Sequence, residues 1–135
     1  MRAFEDCFHL AIPAFDLDEA EEFYSGGLDC KRARRYEDRV TFDFFGDQLV
    51  CHLSERPVGE PAPLELYPRH FGVTFAARRD FEAVLETARS RGLPFFLEPF
   101  ERFVGLPEVH SSFVLRDPSD NLVEFKHYAD PAMMH

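Results

Sequence analysis

The chain switches between two hydrophobic periods, and it does so twice. Over residues 7–13 the apolar positions alternate: Phe8, Leu10 and Ile12 share one face, His9 and Ala11 the other, which predicts a half-buried strand. Asp16 stands where a helix needs a cap, and Glu19, three residues on, fits the return half of a capping box. Leu17, Ala20, Phe23 and Tyr24 follow at helical spacing, and Gly26-Gly27 is expected to end that helix. Three strands are expected next, over about 30–36, 39–45 and 48–53, with a tight turn at Gly46-Asp47 between the last two.

The second half repeats this order. Residues 70–76 alternate, with Phe71, Val73 and Phe75 against His70, Gly72 and Thr74. Asp80 is expected to cap a helix whose stripe is Phe81, Val84, Leu85 and Ala88, and Gly92 to end it. Strands are expected near 95–98, 111–116 and 121–127, the last two joined by the turn Asp117–Asn121, "DPSDN". "DQLVCH" (47–52) and "DNLVEF" (120–125) correspond loosely.

Each half therefore reads strand, helix, three strands. Module one covers about 7–55, module two about 69–128, and residues 129–135 form a tail. Residues 56–68, "RPVGEPAPLELYP", carry four prolines and no period, which marks a linker. Neither half has enough surface to bury alone, so the expectation is one α+β domain of two paired βαβββ modules.

Composition narrows the function classes. Hydrophobic residues make up 45%, enough for a packed core. The formal net charge of −10 argues against nucleic acid or an anionic membrane as partner, because both need Lys/Arg patches. No stretch approaches the roughly 20 apolar residues of a membrane helix, and the acids in "MRAFEDCFHL" do not suit a signal peptide, so a cytoplasmic protein is expected. Cys7, Cys30 and Cys51 are odd in number and widely spaced, as reduced thiols are.

Strand alternation singles out four polar side chains. His9 lies opposite Leu10 and Ile12, and His70 opposite Phe71 and Val73. His52 lies opposite Cys51 and Leu53, and Glu124 opposite Val123 and Phe125. All four are expected on the face away from the helices, which must be either solvent or a cavity. Imidazole and carboxylate suit a divalent first-row metal such as Fe, Mn, Ni, Zn or Co. Only neutral imidazole and ionised carboxylate bind, so such a site loses metal as pH falls.

The segments "FHLAIPAFDLDEAEEFY", "DQLVCHL", "HFGVTF" and "FVLRDPSDNLVEFK" resemble the vicinal oxygen chelate superfamily, the group of glyoxalases, bleomycin-resistance proteins and extradiol dioxygenases. The resemblance spans about residues 7–128. It implies a half-barrel of paired βαβββ modules around one metal, held by His9, His70, His52 and Glu124. Glyoxalase I members usually have Glu in the place of His52. Extradiol dioxygenases and fosfomycin-resistance transferases use only the two first-strand histidines and the last-strand glutamate. The resemblance thus implies His9, His70 and Glu124 as the core ligands, with His52 a fourth ligand or an acid/base beside the metal.

The expected function is a divalent-metal-dependent, glyoxalase-like lyase or isomerase. It would move a proton on a small substrate that chelates the metal through two neighbouring oxygens, with Glu124 or His52 as the shuttle. The alternatives are an Fe(II) extradiol-type dioxygenase and a bleomycin-resistance-like binding protein without catalysis. In the loop 98–110 Arg102 is expected to anchor a substrate carboxylate and Phe103 to cover it; His110 and Tyr128 are further substrate-binding candidates. The short chain and half-open sheet suggest a homodimer, which the family often forms.

Overall fold

The computed structural model describes residues 1–135 as two units, Met1–Pro63 and Leu64–His135. The first holds β1 (His9–Ala14), α1 (Leu17–Glu21), β2 (Lys31–Arg35), β3 (Arg39–Phe44) and β4 (Asp47–Leu53). The second holds β5 (Phe71–Thr74), α2 (Arg78–Ser90), β6 (Phe95–Arg102), β7 (His110–Arg116) and β8 (Leu122–Tyr128). Each unit is βαβββ, as the two periods predict, and the chain is of the α+β class. Strand order is β1-β4-β3-β2 in one sheet and β5-β8-β7-β6 in the other. The first strand of each unit runs parallel to the last, and the other pairs are antiparallel.

In the first unit Leu17, Ala20, Phe23 and Tyr24 are buried, together with Ile12, Val40, Phe42, Leu49 and Cys51. Tyr24 sits at the centre, its ring 5.4 Å from Phe42 and 4.9 Å from Phe23. Phe8 does not share this core: it precedes β1, is tied by its backbone to Asp47 and Gln48, and leaves its ring exposed. The edge strand β2, "KRARR", is exposed at every position. Arg35 reaches back to Glu21 at 2.7 Å and Asp18 at 3.0 Å.

The Asp16 cap forms: one carboxylate oxygen accepts from the backbone N–H groups of Asp18 and Glu19. Gly26-Gly27 ends the helix as expected, but neither glycine is left-handed. The last turn widens into a π-helix over Glu22–Gly27 that runs through both glycines, and the left-handed residue is Asp29. The hairpin turn falls at Phe45-Gly46, both at positive φ, as a two-residue turn of this hand requires.

The second unit buries Phe81 and Ala88 of α2 with Phe113, Leu115, Val123 and Phe125. Phe113 and Phe125 stack at 5.1 Å. Asp80 is not the cap of α2: Ala77 holds that place, and Asp80 lies inside the first turn, where its charge still suits the helix N-terminus. Strand β6 runs to Arg102, four residues beyond its expected end. Pro99 lies inside it, which an edge strand tolerates because its outer N–H needs no partner. The turn after β7 is built as expected: Asp117 accepts from the N–H groups of Ser119 and Asn121 and from the Asn121 amide.

Candidate functional site

The pairing register of the second unit decides which side chains share its open face. Gly72 of β5 stands opposite Glu124 of β8, and Glu124 opposite Val114 of β7. One pleat repeat along, Lys126 faces Ser112, which faces Phe100 of β6. One further, Tyr128 faces His110, which faces Arg102. Partners across a ladder lie on the same face, so this side carries His70, Glu124, Ser112, Lys126, Tyr128, His110 and Arg102 together.

Glu124 is the centre of this face. Its residue is only 5% exposed, and both carboxylate oxygens are engaged. The Ser112 hydroxyl, fully buried, donates to Oε1 at 2.6 Å. The Nε2 of His70 lies 2.9 Å from Oε2. The other ring nitrogen of His70, Nδ1, sits 2.7 Å from the Leu66 carbonyl, which can only accept. Nδ1 therefore carries a proton, and both nitrogens of one imidazole face oxygen acceptors. A neutral ring has one N–H to give. The Nε2 side is satisfied only if a second proton or a metal cation sits between it and the carboxylate. An N–H held by a carbonyl, leaving Nε2 turned to a carboxylate, is the arrangement of a metal-ligating histidine.

Backbone geometry makes this contact possible. A Cβ at position 72 would overlap the Glu124 carbonyl, so only glycine lets β5 approach β8 here. A pocket of about 170 Å³ opens at this point, lined by His70, Gly72, Thr74, Glu124 and Lys126 among others.

The remaining candidates form a belt beside it. The Arg102 guanidinium lies 5.1 Å from the ring of Tyr67 and 5.3 Å from that of Phe103. Phe103 is 5.8 Å from His110, and His110 is 4.6 Å from Tyr128. The Lys126 ammonium lies 5.7 Å from the Tyr128 ring. Tyr67 closes the belt onto the metal-type pair, its ring edge-on to His70 at 5.7 Å. Nδ1 of His110 meets the Glu108 carbonyl at 3.0 Å, so Nε2 of that nearly buried ring is left as an acceptor. His127, on the other face, is held by the Phe75 carbonyl.

In the first unit, His9 and His52 are both exposed, and neither imidazole makes a hydrogen bond. His9 stands opposite Gln48, and His52 opposite Pro13. The two histidines share a face but lie four positions apart along the ladder, about 13 Å at the usual rise per residue, so this unit does not bring them together. The place that Glu124 holds in the second unit, two residues past the partner of the first-strand histidine, belongs in the first unit to Val50. Neither unit by itself gathers three His, Cys, Asp or Glu side chains around one point. Sequence reasoning missed Ser112, Tyr67, Gly72 and Lys126. Alternation in β7 places Ser112 beside Glu124; nothing in the aperiodic segment before β5 marks Tyr67.

A family model described as the glyoxalase/bleomycin resistance protein/dioxygenase superfamily matches residues 7–125. The chain belongs to this superfamily. The crystal structure of a glyoxalase/bleomycin resistance protein/dioxygenase from Alicyclobacillus acidocaldarius is 56% identical in sequence, with both chains covered in full and a TM-score of 0.91. More distant members share the fold. Lactoylglutathione lyase from Agrobacterium tumefaciens is 21% identical, covering 90% of this chain and 92% of that one, with a TM-score of 0.64. The fosfomycin resistance protein FosX from Listeria monocytogenes is 13% identical, covering 99% and 100%, with a TM-score of 0.69. A search of curated protein sequences finds no match. No helix is long and apolar enough to cross a membrane.

Proposed function

We propose that the protein is a divalent-metal-dependent, glyoxalase-like enzyme, of lyase or isomerase type, acting on a small molecule that presents two neighbouring oxygens. One observation carries this reading: the His70 imidazole donates through Nδ1 to the Leu66 carbonyl while its Nε2 faces Oε2 of a buried Glu124 at 2.9 Å. The donor set, one imidazole nitrogen and one carboxylate oxygen, fits a divalent first-row ion. A bound ion of this kind supplies Lewis acidity to a substrate oxygen. The chain's own residues do the rest. The Leu66 carbonyl fixes the tautomer of His70. Ser112 occupies Oε1 of Glu124 and so leaves Oε2 as the oxygen that would share the ion with His70. Tyr67 and Phe103 contribute aromatic surface on the same face.

The test is elemental analysis of the untagged protein, purified without added metal, beside its His70→Ala and Glu124→Gln variants. About one equivalent of Ni, Zn or Co, absent from both variants, supports the reading and directs assays to proton-transfer substrates. About one equivalent of Fe or Mn with oxygen uptake on catechol-like substrates replaces it with the dioxygenase reading. No metal even after reconstitution replaces it with the binding-protein reading.

A further inference from the structure

The open face of the second unit carries two cations with no anion to answer them. Arg102 and Lys126 are both half-buried, and neither forms an ion pair. This is unexpected in a chain with 25 acids against 15 basic residues. The other cation on this face, Arg116, is held by Asp120 at 2.6 Å. The nearest acid along β6, Glu101, is turned to the opposite face by the pleat, in register with Ser111 and His127. Glu124, also on this face, has its oxygens taken by Ser112 and His70. Arg102 instead lies against the rings of Tyr67 and Phe103, and Lys126 against that of Tyr128. Half-burying a guanidinium without a carboxylate costs solvation that the rings repay only in part.

We propose that Arg102 and Lys126 form an oxyanion subsite, so that the ligand of this face carries a carboxylate, phosphate or phosphonate group on an apolar or aromatic body. The inference deepens the proposed function and rests on it for where the reacting end lies. Lys126 is one pleat repeat from Glu124, about 7 Å along β8, and Arg102 stands one repeat beyond in level but two strands across, on β6, roughly 10 Å to the side. A ligand whose chelating oxygens meet His70 and Glu124 would thus reach the cations with an acid group at its far end. Tyr67, His110 and Tyr128 flank the span between them. Guanidinium presents paired N–H donors to a planar or tetrahedral oxyanion, and the ammonium adds a point charge. The face is therefore electropositive inside a molecule of net charge −10, which selects anions locally while the rest of the surface repels them.

Three probes of matched shape test this in the metal-free full chain by calorimetric titration at low salt: phenylphosphonate, phenylacetate and neutral 2-phenylethanol. Both anions should bind, with 2-phenylethanol roughly tenfold weaker or worse. Arg102→Gln and Lys126→Gln should each weaken the anions roughly tenfold, leave the neutral probe unchanged, and flatten the salt dependence. Arg102→Lys should recover part of the loss. Tighter binding of phenylphosphonate assigns a phosphoryl or phosphonyl group; tighter binding of phenylacetate assigns a carboxylate. Equal binding of all three probes, binding of none, or anion binding untouched by either variant overturns the proposal. Glu124→Gln separates the two readings. If the protein takes up no metal yet binds the anions through Arg102 and Lys126, the metal-enzyme reading falls and the subsite stands. If it takes up metal through His70 and Glu124 but ignores the anions, the reverse holds.

Discussion

The Ser112 hydroxyl and the Glu124 carboxylate are locked together inside the second unit, oxygen to oxygen at 2.6 Å, with Ser112 wholly shielded from water. The short distance marks a charge-assisted bond, and it fixes which oxygen of Glu124 is free to meet His70. Ser112 is a positioning residue in this arrangement. Ser112→Ala should weaken metal affinity about tenfold to a hundredfold, the range typical for groups that orient a ligand. Competition with a chromogenic chelator measures this. An unchanged affinity in a folded variant would show that the serine serves packing alone.

Gly72 should tolerate no side chain. Its missing Cβ leaves room for the Glu124 carbonyl, and the obstacle is backbone, which cannot rotate away. Gly72→Ala should cost about 3 kcal/mol or more of stability by forcing β5 off β8. Urea unfolding measures the loss. Ala76→Gly, in the exposed segment just past β5, serves as the control and should shift the midpoint far less.

Acid should release the metal. Both proposed donors bind only when deprotonated, so the affinity for Zn should fall steadily as the solution is taken below neutral pH, and rise again on return. His70→Ala should abolish most binding and with it the pH dependence. A titration followed by equilibrium dialysis checks both. Binding that stayed constant down to mildly acid pH would exclude an imidazole ligand.

The cysteines should differ sharply in reactivity. Burial pushes the Cys30 thiol from its ordinary 9.0 up to about 12, with the Asp43 and Asp29 carboxylates adding to the shift. Cys51 is fully buried, while Cys7 is exposed. Iodoacetamide at mildly alkaline pH should label one thiol, Cys7, in the native protein and all three after denaturation. The sign of the linkage follows from the raised value. The unfolded chain loses this proton first, so the stabilisation is complete below 9.0 and drains away as pH climbs toward about 12. Thermal melts across that window should show the decline, and Cys30→Ala should lessen it.

The two βαβββ units were legible because strands such as β1 and β4 and both helices bury one face only. Single-sided burial writes itself as alternation, and the stripes of α1 and α2 write themselves at the helical period. The same alternation found His70 and Glu124. It failed where the physics is not local. Pro99 reads as a strand breaker until β6 is known to be an edge. The π-helical turn through Gly26 and Gly27 leaves no period of its own. His52 was singled out by alternation in "QLVCHL", which fixes a face but not a level along the ladder; the ladders put Val50 at the level of Glu124. Lys126 carried no signal, because no sequence says whether an acid will face it.

The edge strand β2 has one further consequence. Its outer row of backbone N–H and C=O groups has no partner within its sheet, and such a row is a template for aggregation. The sequence there, Lys31-Arg32-Ala33-Arg34-Arg35, places four cations along five exposed positions. A second copy docking on this edge would set cation against cation, and only Arg32 and Arg35 are offset by Glu21 and Asp18. The basic strand of an acidic protein thus opposes self-templated β-stacking, and neutralising it is expected to raise the tendency of the chain to aggregate.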